Sequence, residues 1–106
     1  MKILIVGSDI NAKILAYYLK IEDSGNDIYM TCEEKDKNES YISLNISENN
    51  ISAIVDFVKY NGIEFTIVTS SLSIINGISD EFKKEYFPIF APASEAARVT
   101  YFNSIA

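Results

Sequence analysis

The chain has 106 residues, 48% hydrophobic and 23% charged, with a net charge of −6; that size and mix fit one globular domain and argue against disorder. Its nine Lys and Arg are scattered with no basic stripe, which argues against a nucleic-acid partner, because phosphate binding needs clustered cations. A single cysteine and no histidine exclude an internal disulfide framework and remove the commonest general base and metal ligand.

Ile3-Leu4-Ile5-Val6 is an unbroken apolar run, which predicts a strand covered on both faces and ended by Gly7. Ile10 to Ile21 then reads as an amphipathic helix, with Ile10, Ile14, Tyr17, Tyr18 and Ile21 at three- and four-residue spacing and Ser8 or Asp9 as its cap. Ser24-Gly25-Asn26 signals a turn, and Asp27 to Thr31 reads as a second strand. Cys32 to Ser40 holds six charged residues without periodicity, the pattern of a solvated loop.

Tyr41 to Leu44 alternates weakly and is expected to be a short extended piece leading into the next helix. That helix is expected to be capped by Ser47, to carry an Ile51, Ile54, Val55, Val58 stripe, and to stop at Asn61-Gly62. Ile63 to Thr69 predicts a third strand and Ser70 to Ser73 a polar turn. A third helix follows through Ile74, Ile75, Ile78 and Phe82 to about Glu85. Pro88-Ile89-Phe90 makes a very short fourth strand, with Pro88 tolerable at its start or on an edge. Ala93 to Ala106 reads as helical, with Ala97, Tyr101 and Ile105 on one face.

This alternation of strands and helices predicts an α/β fold: an open parallel four-stranded sheet, Rossmann-like, with helices on both faces and strand order 2-1-3-4. The crevice at the carboxyl ends of the first and third strands is where such sheets bind ligands. It would be lined by Gly7-Ser8-Asp9, Thr31-Cys32-Glu33, Thr69-Ser70-Ser71 and Ala91-Pro92-Ala93. No signal-peptide pattern and no run of roughly 20 apolar residues occurs, so the expected location is cytoplasmic, with no membrane partner. The last helical pattern runs into Ser104-Ile105-Ala106 without a capping residue, so residues 1–106 are expected to be one domain cut from a longer chain.

The first turn lacks the glycine spacing of a dinucleotide site. Gly7, Asp9 and Ala12 stand at the three positions, and Asp9 would set a carboxylate against phosphate. Glu33 or Glu34 remains a candidate ribose ligand after the second strand. Ser70 and Ser71 stand where they would donate to an anion or simply cap a helix. Cys32 has no histidine to activate it and reads as a small, half-buried thiol. The acidic loop is interrupted by Lys35 and Lys37 and reads as solvated rather than as a calcium site.

Several stretches together resemble one family. They are Met1 to Ser8, Ile51 to Ile67 with Asn61-Gly62-Ile63-Glu64-Phe65-Thr66, Asn76-Gly77-Ile78 running to Phe82, and Pro88-Ile89-Phe90-Ala91-Pro92 followed by Glu95-Ala96-Ala97. In these the chain resembles the N-terminal, pre-ATP-grasp domain of phosphoribosylamine–glycine ligase (glycinamide ribonucleotide synthetase), an ATP-grasp enzyme of purine biosynthesis. The resemblance implies a substrate-side domain whose partner is the ATP-grasp part of its own ligase chain. ATP and magnesium are then held elsewhere in the full-length enzyme, and no cofactor, metal or catalytic residue belongs to this segment. It also implies a small phosphoribosyl or amino-acid substrate near Gly7, Ser8, Asp9, Ser70, Ser71 and Pro92.

The departures from the family fall in the ligand turns. Gly7-Ser8-Asp9-Ile10-Asn11-Ala12-Lys13 replaces Gly-Ser-Gly-Gly-Arg-Glu-His, Cys32-Glu33-Glu34 replaces Pro-Gly-Asn, and Thr69-Ser70-Ser71 replaces Gly-Pro-Glu. Two other readings therefore stand beside the ligase domain. One is a non-catalytic binding or regulatory module that keeps the fold. The other is a Rossmann-type nucleotide binder using Glu33 or Glu34.

Overall fold

The computed structural model describes residues 1–32 and 39–91. Its elements run β1 (Lys2–Val6), α1 (Ile10–Glu22), β2 (Asp27–Thr31), β3 (Ile42–Leu44), α2 (Ile51–Asn61), β4 (Phe65–Val68), α3 (Ser71–Ile75), α4 (Ile78–Lys84) and β5 (Ile89–Phe90). All strands are parallel and lie in the order β3-β2-β1-β4-β5. This corrects the expected four-stranded sheet of order 2-1-3-4. Residues 42–44 are a fifth strand, paired with β2 through Tyr29↔Ile42 and Thr31↔Leu44. Three residues are too few for alternation to announce a strand, and hydrogen bonds to the open edge of β2 decide it.

β1 is the axis of the sheet. It pairs with β2 through Lys2↔Asp27 to Ile5↔Met30 and with β4 through Ile3↔Phe65 to Val6↔Val68. Its alternate side chains feed two cores. Leu4 and Val6 pack with Val68, with Ile54 and Val58 of α2, and with Ile74, Ile78 and Phe82 of α3 and α4. Ile5 packs on the opposite face with Ile28, Met30, Tyr41 and the α1 alanines Ala12 and Ala16. Helices thus cover both faces. A fully buried Leu, Ile or Phe contributes about 1.5–3 kcal/mol, so these two layers hold the strand ends in register.

The buried side of α1 is the reverse of the expected one. Ala12 and Ala16 are buried, whereas Ile10, Ile14, Tyr17, Tyr18 and Ile21 are all exposed. α1 carries two apolar stripes, and the small one lets the helix lie close on the sheet with Leu15 and Leu19 beside it. Size, not hydrophobicity, decides which stripe faces inward.

Two helix boundaries also differ. Asn50, not Ser47, caps α2, its Oδ1 accepting from the Ala53 N–H at 3.2 Å, while Ser47 Oγ accepts from the Asn49 N–H one turn earlier. The expected helix from Ile74 to Glu85 is broken at Asn76-Gly77, where Gly77 takes φ +88° between α3 and α4, a conformation that favours glycine. The Asn61-Gly62 stop is present, with Gly62 as the C-cap of α2. The expected loop residues 33–38, including Glu33 and Glu34, and the expected helix from Ala93 to Ala106 lie outside the described residues. No helix among the described residues is long and apolar enough to cross a membrane.

Candidate functional site

The carboxyl ends of β1 and β4 are tied together before any ligand is considered. The Thr69 N–H donates to Val6 O at 2.9 Å and the Ser70 N–H to the same oxygen at 3.2 Å. On the other side of β1, the buried Gly7 N–H donates to Thr31 Oγ1 at 2.9 Å. Gly7 has φ +141° and passes directly under Thr69, so the turn leaves β1 with no room for a side chain.

Asp9 is the N-cap of α1. Its Oδ1 accepts from the Ala12 N–H at 2.9 Å, and Thr69 Oγ1 lies 3.4 Å from the same carboxylate oxygen. The end of α1, where an anion would otherwise find free N–H groups, already carries a carboxylate. Ser70 caps α3 in the same manner: its Oγ accepts from the Ser73 N–H at 3.2 Å, and it is buried. Ser73, fully buried, donates through Oγ to Glu48 O at 2.5 Å, with Ser70 Oγ 3.1 Å away. That bond ties α3 to the segment between β3 and α2 and holds Glu48 at the crevice.

Among the described residues, two cavities lie at this end of the sheet. One, of about 320 Å³, is lined by Gly7, Ser8, Asp9, Glu48, Thr69, Ser70, Ser71 and Leu72. The other, of about 440 Å³, is lined by Ser8, Lys13, Thr31, Cys32, Ile46, Ser47, Glu48 and Asn49. Ser8 and Glu48 line both. These volumes fall in the range of small-molecule sites, roughly 300–1,000 Å³. The first offers two carboxylates, hydroxyls and backbone groups, which suit an amine or a polyol. The second adds the Lys13 ammonium, which suits an anion.

Of the residues expected at the site, Gly7, Ser8, Asp9, Ser70 and Ser71 line one cavity together, while Pro92 lies outside the described residues. Cys32 is half-buried in the wall of the larger cavity. Ile46 to Asn49 and Lys13 were not expected there. Reading residues 42–44 as a strand finds Ile46 to Asn49, since whatever follows a parallel strand emerges at its ligand end, whereas Lys13 reaches the cavity from the first turn of α1. Among the described residues no group of three or more His, Cys, Asp or Glu is placed to hold a metal ion.

Comparison with known proteins follows the same outline. The family model "Phosphoribosylglycinamide synthetase, N domain" matches residues 1–100. Phosphoribosylamine–glycine ligases from Caldanaerobacter subterraneus subsp. tengcongensis and Vibrio cholerae are each 30% identical to the chain, covering 93% of it and 24% of their own length. That from Halalkalibacterium halodurans is 26% identical, covering 93% of the chain and 23% of the relative. The chain therefore spans about a quarter of the length of these relatives. Among solved structures, the K. lactis urea amidolyase superimposes with a TM-score of 0.69 at 17% identity, covering 92% of this chain and 6% of that one. At that identity the likeness is one of fold.

Proposed function

The chain belongs to the phosphoribosylglycinamide synthetase N-domain family, and from that premise we propose that it forms the amine-substrate side of an ATP-dependent phosphoribosylamine–glycine ligase. The observation that carries this reading is the paired cavity at the ends of β1, β2 and β4. The smaller part, with Asp9 and Glu48, receives an amine and the ribose hydroxyls, and the larger part, with Lys13, receives the phosphate. In this reading the chain's own residues bind and orient the substrate. In this proposal the rest of the ligase chain holds ATP and magnesium and performs the ligation, and the whole acts in the cytoplasm.

The test is a chimera in which residues 1–100 replace the matching N-terminal part of the Caldanaerobacter ligase. ATP-dependent formation of glycinamide ribonucleotide above that of the ligase lacking an N-terminal part supports the proposal. A folded chimera that binds ATP yet forms no product contradicts it.

A second reading, a binding or regulatory module without ligase chemistry, is favoured by one observation. Asp9 occupies the end of α1 as its own cap, so an anionic group placed there meets a like charge rather than free N–H donors. The same chimera separates the two, because a module of this kind restores folding and not turnover.

A further inference from the structure

The outward face of α1 is the least explained surface of the described residues. Ile10, Ile14, Tyr17, Tyr18 and Ile21 are 69, 47, 54, 62 and 61% exposed. At 100° per residue they fall within roughly 100° of arc, directly opposite the Ala12 and Ala16 face that packs on the sheet. The spacing from Ile10 to Ile14 to Tyr17 to Ile21 is four, three, four: the d-a-d-a seam of a coiled coil, with β-branched Ile14 and Ile21 at the a positions that favour two strands.

We propose that this face is a self-association surface on which a second copy of the chain docks, the two α1 helices lying parallel about a two-fold axis. Area supports that occupant. Counting roughly 200 Å² for each of these large residues, the exposed parts amount to at most on the order of 600 Å² per copy. Two such faces bury up to about 1,200 Å², which reaches the lower edge of stable interfaces. Charge selects the parallel arrangement. Lys13 and Lys20 stand at g positions, and Asn11 and Tyr18 at e positions. Parallel pairing sets the lysines of one copy toward the uncharged e positions of the other, whereas antiparallel pairing sets lysine toward lysine, with Lys20 Nζ already bonded to Asn26 O at 2.6 Å. Docking here leaves the cavities at the strand ends open to ligand, apart from the Lys13 edge of the larger one.

Sedimentation velocity of the 106-residue chain, from micromolar to millimolar protein, tests this. The weight-average mass is expected to rise from 11.9 kDa toward twice that value. Ile14→Lys is expected to hold the monomer mass at every concentration with unchanged circular dichroism and melting, since Ile14 is half in solvent. In a Cys32→Ser background, Ile21→Cys is expected to give a disulfide-linked dimer with oxidised glutathione, because only a parallel pair brings the two positions 21 together. A wild-type chain that stays monomeric throughout overturns the proposal and leaves the stripe to the rest of a longer ligase chain. A dimer that persists in Ile14→Lys overturns it in favour of another face. A dimer in which Ile21→Cys does not cross-link overturns the parallel arrangement.

Discussion

A Cβ placed on Gly7 would lie 2.0 Å from Thr69 Oγ1, so the turn after β1 and the turn after β4 touch at the one point where the first carries no side chain. The Ser70 backbone nitrogen is 3.3 Å from the same position, and backbone does not yield as a long side chain does. Gly7→Ala therefore strains φ and forces the two turns apart. We expect a loss of about 2–3 kcal/mol, read as a lower urea midpoint at constant m-value. The binding of any crevice ligand should weaken with it.

Asp9 serves two ends at once, capping α1 and repelling anions from it. Asp9→Asn keeps an oxygen for the Ala12 N–H and removes the charge. It should leave stability within a few tenths of a kcal/mol and tighten binding of inorganic phosphate. Asp9→Ala loses the cap and should cost about 1 kcal/mol. Thermal melting and a phosphate titration of the two variants check the pair of outcomes.

Ser73 is the peg between α3 and the segment that precedes α2. Ser73→Ala leaves Glu48 O without its 2.5 Å donor and removes a neighbour of Ser70 Oγ. Glu48 O is only part-buried, so the loss is expected at the low end for an unpaired group, about 1 kcal/mol. Amide hydrogen exchange should accelerate at Ser47 to Asn49 before it does so in β1, because the segment loosens locally.

Tyr86 follows α4 with φ +58° and is 93% exposed. Its ring gains little from packing, while a side chain in the left-handed region costs about 1 kcal/mol. The Tyr86 N–H bonds to Lys83 O and the Phe87 N–H to Phe82 O, contacts that glycine retains. Tyr86→Gly is accordingly expected to raise stability by roughly 0.5–1 kcal/mol, visible as a rise of a few degrees in Tm.

Most of the scaffold was legible from pattern. The Ile3–Val6 run, the Asn61-Gly62 stop and the strand at Phe65–Val68 are local signals with a physical cause, and the Gly7–Asp9 and Thr69–Ser71 walls of the smaller cavity follow from the carboxyl-end rule once β1 and β4 are adjacent. What the sequence concealed were tertiary decisions. α1 had two apolar stripes, and only close packing on the sheet chose Ala12 and Ala16 over Ile14 and Tyr17. Ile42 to Leu44 became a strand because the edge of β2 was open to it, and that pairing in turn carried Ser47, Glu48 and Asn49 to the site. Asn76-Gly77 broke a helix that apolar spacing alone would have continued. Ligand identity is the least legible property, because exposed positions such as Ser71 differ in chemistry where the fold is indifferent to it, while Asp9 serves the fold as a cap whatever the ligand.

The amine-substrate proposal is tested most directly by an amide-resolved NMR titration of the 106-residue chain with ribose 5-phosphate, and separately with glycine. The account predicts saturable shifts at millimolar ligand, with ribose 5-phosphate moving Ser8, Lys13, Glu48 and Ser71 and leaving the exposed α1 residues Tyr18 and Ile21 in place. Spectra of a folded chain unmoved by either compound would contradict it.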